Sequence, residues 1–344
     1  MKALVFHGPR DIRYESAPDP ELATPNSAII KVEGCSICGS DLHIYHGDRI
    51  GKTDYADAPT FCVGHEFIGK VVDRGPDCKL FKVGDRVLSA GGTGCGRCAA
   101  CLAGQPLKCP RATAFGIGPG LPGGQAELVN VPNADATLMR MDGISDAHAL
   151  LLTDALATAF FGITRAEVQP GGSVAVVGLG PIGVLGVELA FLLGAADVFA
   201  VDPVPERRAR AEALGATAFP PDSAVAGIRE ATSGLGAGSV FEASGHPTAV
   251  ASLAPLVAPG GTVSCVGLPP PGVGVPLAPL LYKNVTLRGG ICPVQEMWPA
   301  LVPLLQSGRL KAEGLFSHQM PLADGAEAYR LFEARESFKL HLIP

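Results

Sequence analysis

The stretch Ser173-Val-Ala-Val-Val-Gly178-Leu-Gly180-Pro181-Ile182-Gly183-Val-Leu-Gly-Val-Glu188-Leu-Ala-Phe-Leu-Leu-Gly194-Ala-Ala-Asp197-Val-Phe-Ala-Val-Asp202 decides the fold of this chain. Up to residue 201 its only charges are Glu188 and Asp197, so a hydropathy window alone would mark a membrane span. The glycines argue otherwise, because they cut the run into strand, tight turn, helix and next strand. The β-branched run at 174–177 leads directly into Gly178-Leu-Gly180-Pro-Ile-Gly183, which opens an apolar helix. In a dinucleotide-binding turn the first glycine makes the turn, the second lets backbone approach a pyrophosphate, and the third lets helix and strand pack closely. The helix N-terminus then offers free N–H groups and partial positive charge to phosphate. Asp202, nineteen residues beyond Gly183, is placed to accept hydrogen bonds from ribose hydroxyls and to repel a 2′-phosphate, which favours NAD over NADP. Arg207 and Arg208 stand close enough to soften that preference. The competing reading is a strand-turn-helix with a purely structural role.

The same alternation extends on both sides. β-branched runs at 174–177, 198–201, 240–241 and 262–266 alternate with helices expected to start near Pro181, Glu206, Ala224 and Pro247. That pattern predicts an α/β domain over residues 151–290, a doubly wound parallel sheet covered on both faces. Residues 1–150 read instead as mostly β, with runs at 28–32, 67–72 and 86–89 separated by Gly, Pro and Asp turn signals. Residues 291–344 change pattern again, to helices around 297–306 and 323–334. Asp324 followed by Glu327 has the spacing of a capping box.

The 344 residues are 47% hydrophobic and 17% charged, which fits a compact chain of about two domains. A net charge of -6 and the absence of a Lys/Arg cluster argue against a nucleic-acid partner. Residues 1–6 form a short apolar run before Gly8 and Pro9 rather than a secretory leader, so a cytoplasmic location is expected, with no membrane partner.

Ten cysteines fit a reducing compartment. Four of them, Cys95, Cys98, Cys101 and Cys109, form a C-x2-C-x2-C-x7-C comb among turn-forming glycines and prolines, the pattern of a closed four-thiolate zinc site. A disulfide framework would belong to a small secreted domain. Cys35, Cys62, Cys78, Cys265 and Cys292 read as small apolar fillers. A closed site leaves no position for a substrate, so chemistry must be sought elsewhere. Upstream lie Cys38-Gly-Ser40-Asp41-Leu-His43 and Gly64-His65-Glu66, a mixed donor set suited to a catalytic zinc with one open position. On spacing alone core filler is an equally good reading of these residues.

The C-G-S-D-x-H string, the G-H-E, the comb and the G-x-G-x-x-G occur in one order. In that order they resemble the zinc-containing medium-chain alcohol dehydrogenase family over essentially the whole chain. The resemblance implies a GroES-like β catalytic domain interrupted by a Rossmann domain of strand order 3-2-1-4-5-6. It implies that Cys38 and His65 bind a catalytic zinc. Asp154 then takes the place of the third ligand, as in the bacterial, formaldehyde-dehydrogenase-like branch. Glu66 adjoins that metal, and Asp41 orients the His65 ring. Ser40 and His43 fall where a proton relay runs. For His43 the competing reading is a solvent-exposed loop histidine.

The cofactors implied are NAD and two zinc ions per chain, one catalytic and one structural. Thr158 and Ile182 match positions that hold the nicotinamide, and Lys339 matches a basic residue near the pyrophosphate. Two residues depart from the liver-type pattern. Gly39 replaces a phosphate-binding arginine, and Gly91 replaces a bulky aromatic at the substrate pocket, leaving room for larger or branched substrates. The implied activity is reversible, NAD-dependent oxidation of a primary or secondary alcohol. Within the family the alternative is a polyol, threonine or formaldehyde dehydrogenase, and outside enzymes it is a non-catalytic zinc- and NAD-binding structural or sensor protein. A homotetramer is implied, with a dimer as the alternative. Both metal motifs disfavour a zinc-free enone reductase.

Overall fold

Six parallel strands form the sheet that the glycine-rich stretch anchors. In space they run Thr217–Phe219, Asp197–Val201, Ser173–Val177, Ala237–Glu242, Val257–Cys265 and Thr286–Gly289, which is order 3-2-1-4-5-6. The computed structural model describes residues 1–50 and 53–344, without the side chain of Ile50. The first strand is central, and four of its five residues are buried. Two edge strands, Thr217–Phe219 and Thr286–Gly289, are absent from the sequence reading because neither carries an apolar run that stands out from its surroundings.

Four helices of this sheet begin on proline, at Pro181, Pro205, Pro221 and Pro247. Proline suits a first turn, since its fixed φ is already helical and its missing N–H would have had no helical partner. That chemistry moves two starts upstream of Glu206 and Ala224. The helix Pro181–Leu192 packs on Ala155–Arg165, and Gly186 and Gly162 each leave room for the Phe241 ring, which a Cβ would approach to 2.6 and 2.1 Å. Burial explains the hydropathy of the opening stretch. No single helix among the described residues is long and apolar enough to cross a membrane.

The chain divides into two units. One comprises Met1–Asp154, Pro293–Gln306 and Glu313–Pro344, the other Ala155–Cys292 and Ser307–Ala312. The small excursion 307–312 belongs to the second unit because the Glu188 carboxylate accepts the backbone N–H groups of Lys311 and Ala312 at 2.7 and 3.1 Å.

The first unit is mostly antiparallel β. Its larger sheet runs Leu138–Arg140, Arg86–Ser89, Glu66–Arg74, Ala28–Ser36, Lys339–Ile343 and Phe316–Pro321, with Leu128–Val131 also on Ala28–Ser36. Its core holds Phe6, Ile30, Phe67, Phe115 and Tyr329, and Phe67 meets Phe115 edge to face at 5.2 Å. Ala28–Ser36 carries the site: Ser36 pairs with Glu66 on one side and His341 on the other, so the last strand of the chain runs beside the metal motifs.

The C-terminal helices span Val294–Gln306 and Gly325–Glu333. The expected capping box does not form. Asp324 makes no side-chain cap bond because the short 3-10 turn Leu322–Asp324 leads into the helix, and Glu327 instead takes Arg330 at 2.7 Å.

Candidate metal centres and active site

The comb closes on itself. Ligand atoms of Cys95, Cys98, Cys101 and Cys109 all lie within 4.8 Å of one another, and Cys98 and Cys101 sulfurs are 3.5 Å apart. All four are free thiols. Backbone N–H groups of Cys95 and Arg111 point at Cys109 Sγ at 3.4 and 3.3 Å. The Arg97 N–H is the main influence that draws Cys95 down to about 6, whereas burial pushes Cys101 up to about 11. Four convergent sulfurs with N–H groups directed at them fit a structural zinc ion. Cys35, Cys62, Cys78 and Cys292 are buried and Cys265 half-buried, as small fillers should be.

The second set assembles from three distant segments. Cys38 ends the link from Ala28–Ser36 and caps the helix Gly39–His46, His65 precedes Glu66–Arg74, and Asp154 follows the helix Asp146–Leu152. Donor atoms of Cys38, His65, Glu66 and Asp154 all lie within 4.8 Å of one another. Cys38 Sγ is 3.0 Å and His65 Nε2 3.5 Å from Asp154 Oδ2. The edges of a tetrahedral zinc site with such donors are about 3.3–3.7 Å, so thiolate, imidazole and carboxylate stand near ligating separation.

Asp41 braces this set. One of its oxygens accepts the Cys38 N–H at 2.9 Å, and the other lies 3.1 Å from His65 Nδ1 as an ion-pair contact, turning Nε2 toward the remaining donors. Asp41 is 1% exposed. As protein groups alone the set holds protons tightly. Burial, then Asp154, pushes the Cys38 thiol up to about 12. Burial opposes charge on His65, but Asp41 and Asp154 together outweigh it and hold the imidazole well above its usual range. A cation entering here would displace those protons.

Lys339 has a buried carboxylate partner. It is 2% exposed, and its ammonium donates to both Glu66 oxygens at 2.6 and 3.0 Å. The cause is its position at the start of the strand Lys339–Ile343, where nothing but a carboxylate could offset a buried ammonium. Glu66 is thus a member of the metal group whose two oxygens are held by Lys339, and burial raises its carboxyl despite that lysine. Nothing in the spacing of residues 66 and 339 signals the pair. Ser40 Oγ lies 3.4 Å from His65 Nε2, beside the donor set. His43 is half-buried in the last turn of its helix, with Nδ1 at 2.8 Å from Asp48 Oδ2. Asp48 escaped the sequence reading, although its place just after the helix-ending Gly47 was a usable signal. His46 pairs with Glu333 at 2.9 Å. A Cβ on Gly91 would stand 3.4 Å from the His65 ring.

The glycine turn has the shape a pyrophosphate needs. Gly178 adopts a left-handed φ of 88°, and a Cβ there would meet Ser244 at 2.6 Å. Gly180 caps the helix with open space around it, and a Cβ on Gly183 would fall 1.8 Å from Gly178 O. Ile182 lies in the first turn of that helix, and Thr158 is buried in Ala155–Arg165. Asp202 is 3% exposed just beyond its strand, with Oδ2 accepting Leu179 N–H at 2.7 Å and Oδ1 accepting Val204 N–H at 2.8 Å. Each oxygen keeps a second lone pair for a ligand hydroxyl. Arg207 stands 3.9 Å from Asp202 Oδ2, while Arg208 donates to the Asp202 and Pro203 carbonyls.

A doubly wound sheet with this turn, in one chain with a β unit holding two metal-binding sets, defines the class of metal-dependent nucleotide-binding dehydrogenases. Residues 24–141 match the alcohol dehydrogenase GroES-like domain, and residues 181–307 match the zinc-binding dehydrogenase family. A probable zinc-binding alcohol dehydrogenase of Mycobacterium tuberculosis is 41% identical over 99% of this chain and 87% of its own length. A sorbitol dehydrogenase of Bacillus subtilis is 32% identical over 95% of this chain and 92% of its own. The solved structure of an alcohol dehydrogenase from Thermus sp. ATN1 superposes with a TM-score of 0.91, at 35% identity, covering 100% of this chain and 99% of that one. The chain belongs to the zinc-binding alcohol dehydrogenase family.

Proposed function

We propose that this chain is an NAD-dependent zinc alcohol dehydrogenase that reversibly oxidises a primary or secondary alcohol to the aldehyde or ketone. The observation that carries this reading is the convergence of buried Cys38 and His65 with half-buried Asp154 into one donor set, with Ser40 Oγ beside it. A zinc ion held by these residues supplies a Lewis acid that makes an alcohol hydroxyl acidic near neutral pH. Asp41 holds the His65 ring by its Nδ1 side, so that Nε2 faces the metal position. The Ser40 hydroxyl takes the alcohol proton, and His43 passes it to solvent. The four comb cysteines hold a structural zinc. Gly178, Gly180 and Gly183 with the helix N-terminus receive the pyrophosphate, Asp202 takes the ribose hydroxyls, and Thr158 and Ile182 border the nicotinamide. Arg207 near Asp202 makes NAD a preference over NADP rather than a strict requirement.

A second reading, a polyol dehydrogenase, is favoured by Glu66 lying within the metal group and by the open side of His65 at Gly91. The formaldehyde-dehydrogenase-like branch rests on Asp154 as ligand. We place the protein in the cytoplasm, as a homotetramer with a dimer as the alternative. NADH formation over primary, secondary, aromatic and polyol substrates tests the function. Turnover of at least one simple alcohol, with NAD ahead of NADP, is expected. Turnover confined to polyols moves the assignment to the second reading. Zinc-loaded protein that binds NAD and turns over nothing would make it a binding protein without chemistry.

A further inference from the structure

His43 stands one helical turn beyond Ser40 in Gly39–His46, and side chains three residues apart share a helix face. The helix stops at Gly47, whose left-handed φ of 77° lets the chain fold back. Gly47 N–H donates to Ile44 O at 3.0 Å and Asp48 N–H to His43 O at 2.9 Å. This reversal carries the Asp48 carboxylate back along the helix end, where Oδ2 meets His43 Nδ1 at 2.8 Å. His43 is 30% and Asp48 45% exposed. A pair so open to water adds little stability, so its consequence lies in what it does to the ring. The neighbouring His46 is held separately, by Glu333, which also pairs with Arg10 at 2.7 Å.

An ionised carboxylate only accepts hydrogen bonds, so His43 Nδ1 must carry the proton in this contact. In the neutral ring the lone pair is then on Nε2. We propose that Asp48 is a positioning residue that fixes His43 in the tautomer whose Nε2 accepts the proton released by alcohol oxidation. The inference rests on the dehydrogenase function proposed above. Oxidation splits the alcohol into a carbonyl product, a hydride taken up by the nicotinamide, and a proton. That proton breaks from the hydroxyl oxygen and bonds to Ser40 Oγ, and the proton Ser40 gives up would reach His43 Nε2 through the ribose hydroxyls that a bound dinucleotide supplies. Water then takes it from the imidazolium, whose charge Asp48 offsets in the meantime.

The test uses the full chain loaded with zinc and follows the single-turnover rate of NADH formation near neutral pH. Asp48→Asn should slow that rate about tenfold, as loss of an oriented general base does, while KM for alcohol and dinucleotide stays within about twofold. Asp48→Glu should recover most of the rate. Added imidazole should speed both Asp48→Asn and His43→Ala and leave the parent enzyme unchanged, which a loop role for Asp48 would not produce. Asp48→Asn turning over at the parent rate, or a slow Asp48→Asn that imidazole does not rescue, overturns the role of Asp48. His43→Ala at the parent rate overturns instead the relay on which the inference rests.

Discussion

The two metal-binding sets of this chain differ in nearly every physical respect. The comb takes four like ligands from one fifteen-residue loop, three of them partly exposed, and two backbone N–H groups point at the Cys109 sulfur. The other set takes a thiol, an imidazole and a carboxylate from segments 116 residues apart, deep enough that burial raises Cys38 to about 12. The comb is complete without a substrate, whereas in the other set Lys339 holds both Glu66 oxygens, so that a metal bound by Cys38, His65 and Asp154 would keep a position open. A loop can therefore be stapled by a site that does no chemistry, and the chemistry can sit where no sequence window contains it. Burial also gives the second set a surrounding layer of ion pairs, Asp41 with His65 and Lys339 with Glu66.

The sharpest way to break this contrast is substitution within each set. Cys38→Ser and Asp154→Asn should each lower kcat by about 1,000-fold or more while the fold, followed by circular dichroism, is kept. Substantial turnover in either variant would remove that residue from the catalytic set. The next effect concerns the layer around the buried set. Lys339→Met should destabilise the first unit by about 3–5 kcal/mol, read by denaturant unfolding, because Glu66 is left charged and buried without a partner. If Lys339 served the dinucleotide instead, the variant would keep its stability and raise only the KM for NAD.

Cys98→Ser should act in the opposite register. Opening the comb should lower the melting temperature by about 10 °C, with kcat per folded chain falling far less than in Cys38→Ser. A Cys98→Ser protein that is stable yet inactive would erase the distinction between the sites. The smallest effect expected is on cofactor choice: Asp202→Ala should raise use of NADP relative to NAD about tenfold in kcat/KM ratios. An unchanged ratio would mean that Asp202, with both oxygens already on backbone N–H groups, serves the turn rather than the ribose.

Legibility in the sequence followed locality. The comb and the glycine turn each lie within one short window, where spacing itself encodes geometry, and both could be read directly. The central strands were legible because their runs are β-branched and buried. The edge strands Thr217–Phe219 and Thr286–Gly289 were not, being short and partly exposed. Asp154 was reachable only through family resemblance, since no spacing rule links it to Cys38. The Lys339–Glu66 pair was not legible, because a lysine beside apolar Phe338 and Leu340 gives no sign that its ammonium will be buried against a carboxylate. The Asp324 and Glu327 box failed for a local reason, as Arg330 one turn on competes for the glutamate.

The proposed chemistry requires a second zinc on Cys38, His65 and Asp154. Anomalous scattering at the zinc edge from crystals of the protein tests it most directly. Two peaks per chain are predicted, one inside the four comb sulfurs and one bounded by Cys38 Sγ, His65 Nε2 and an Asp154 oxygen. A single peak, at the comb alone, from enzyme that is active in solution would contradict it.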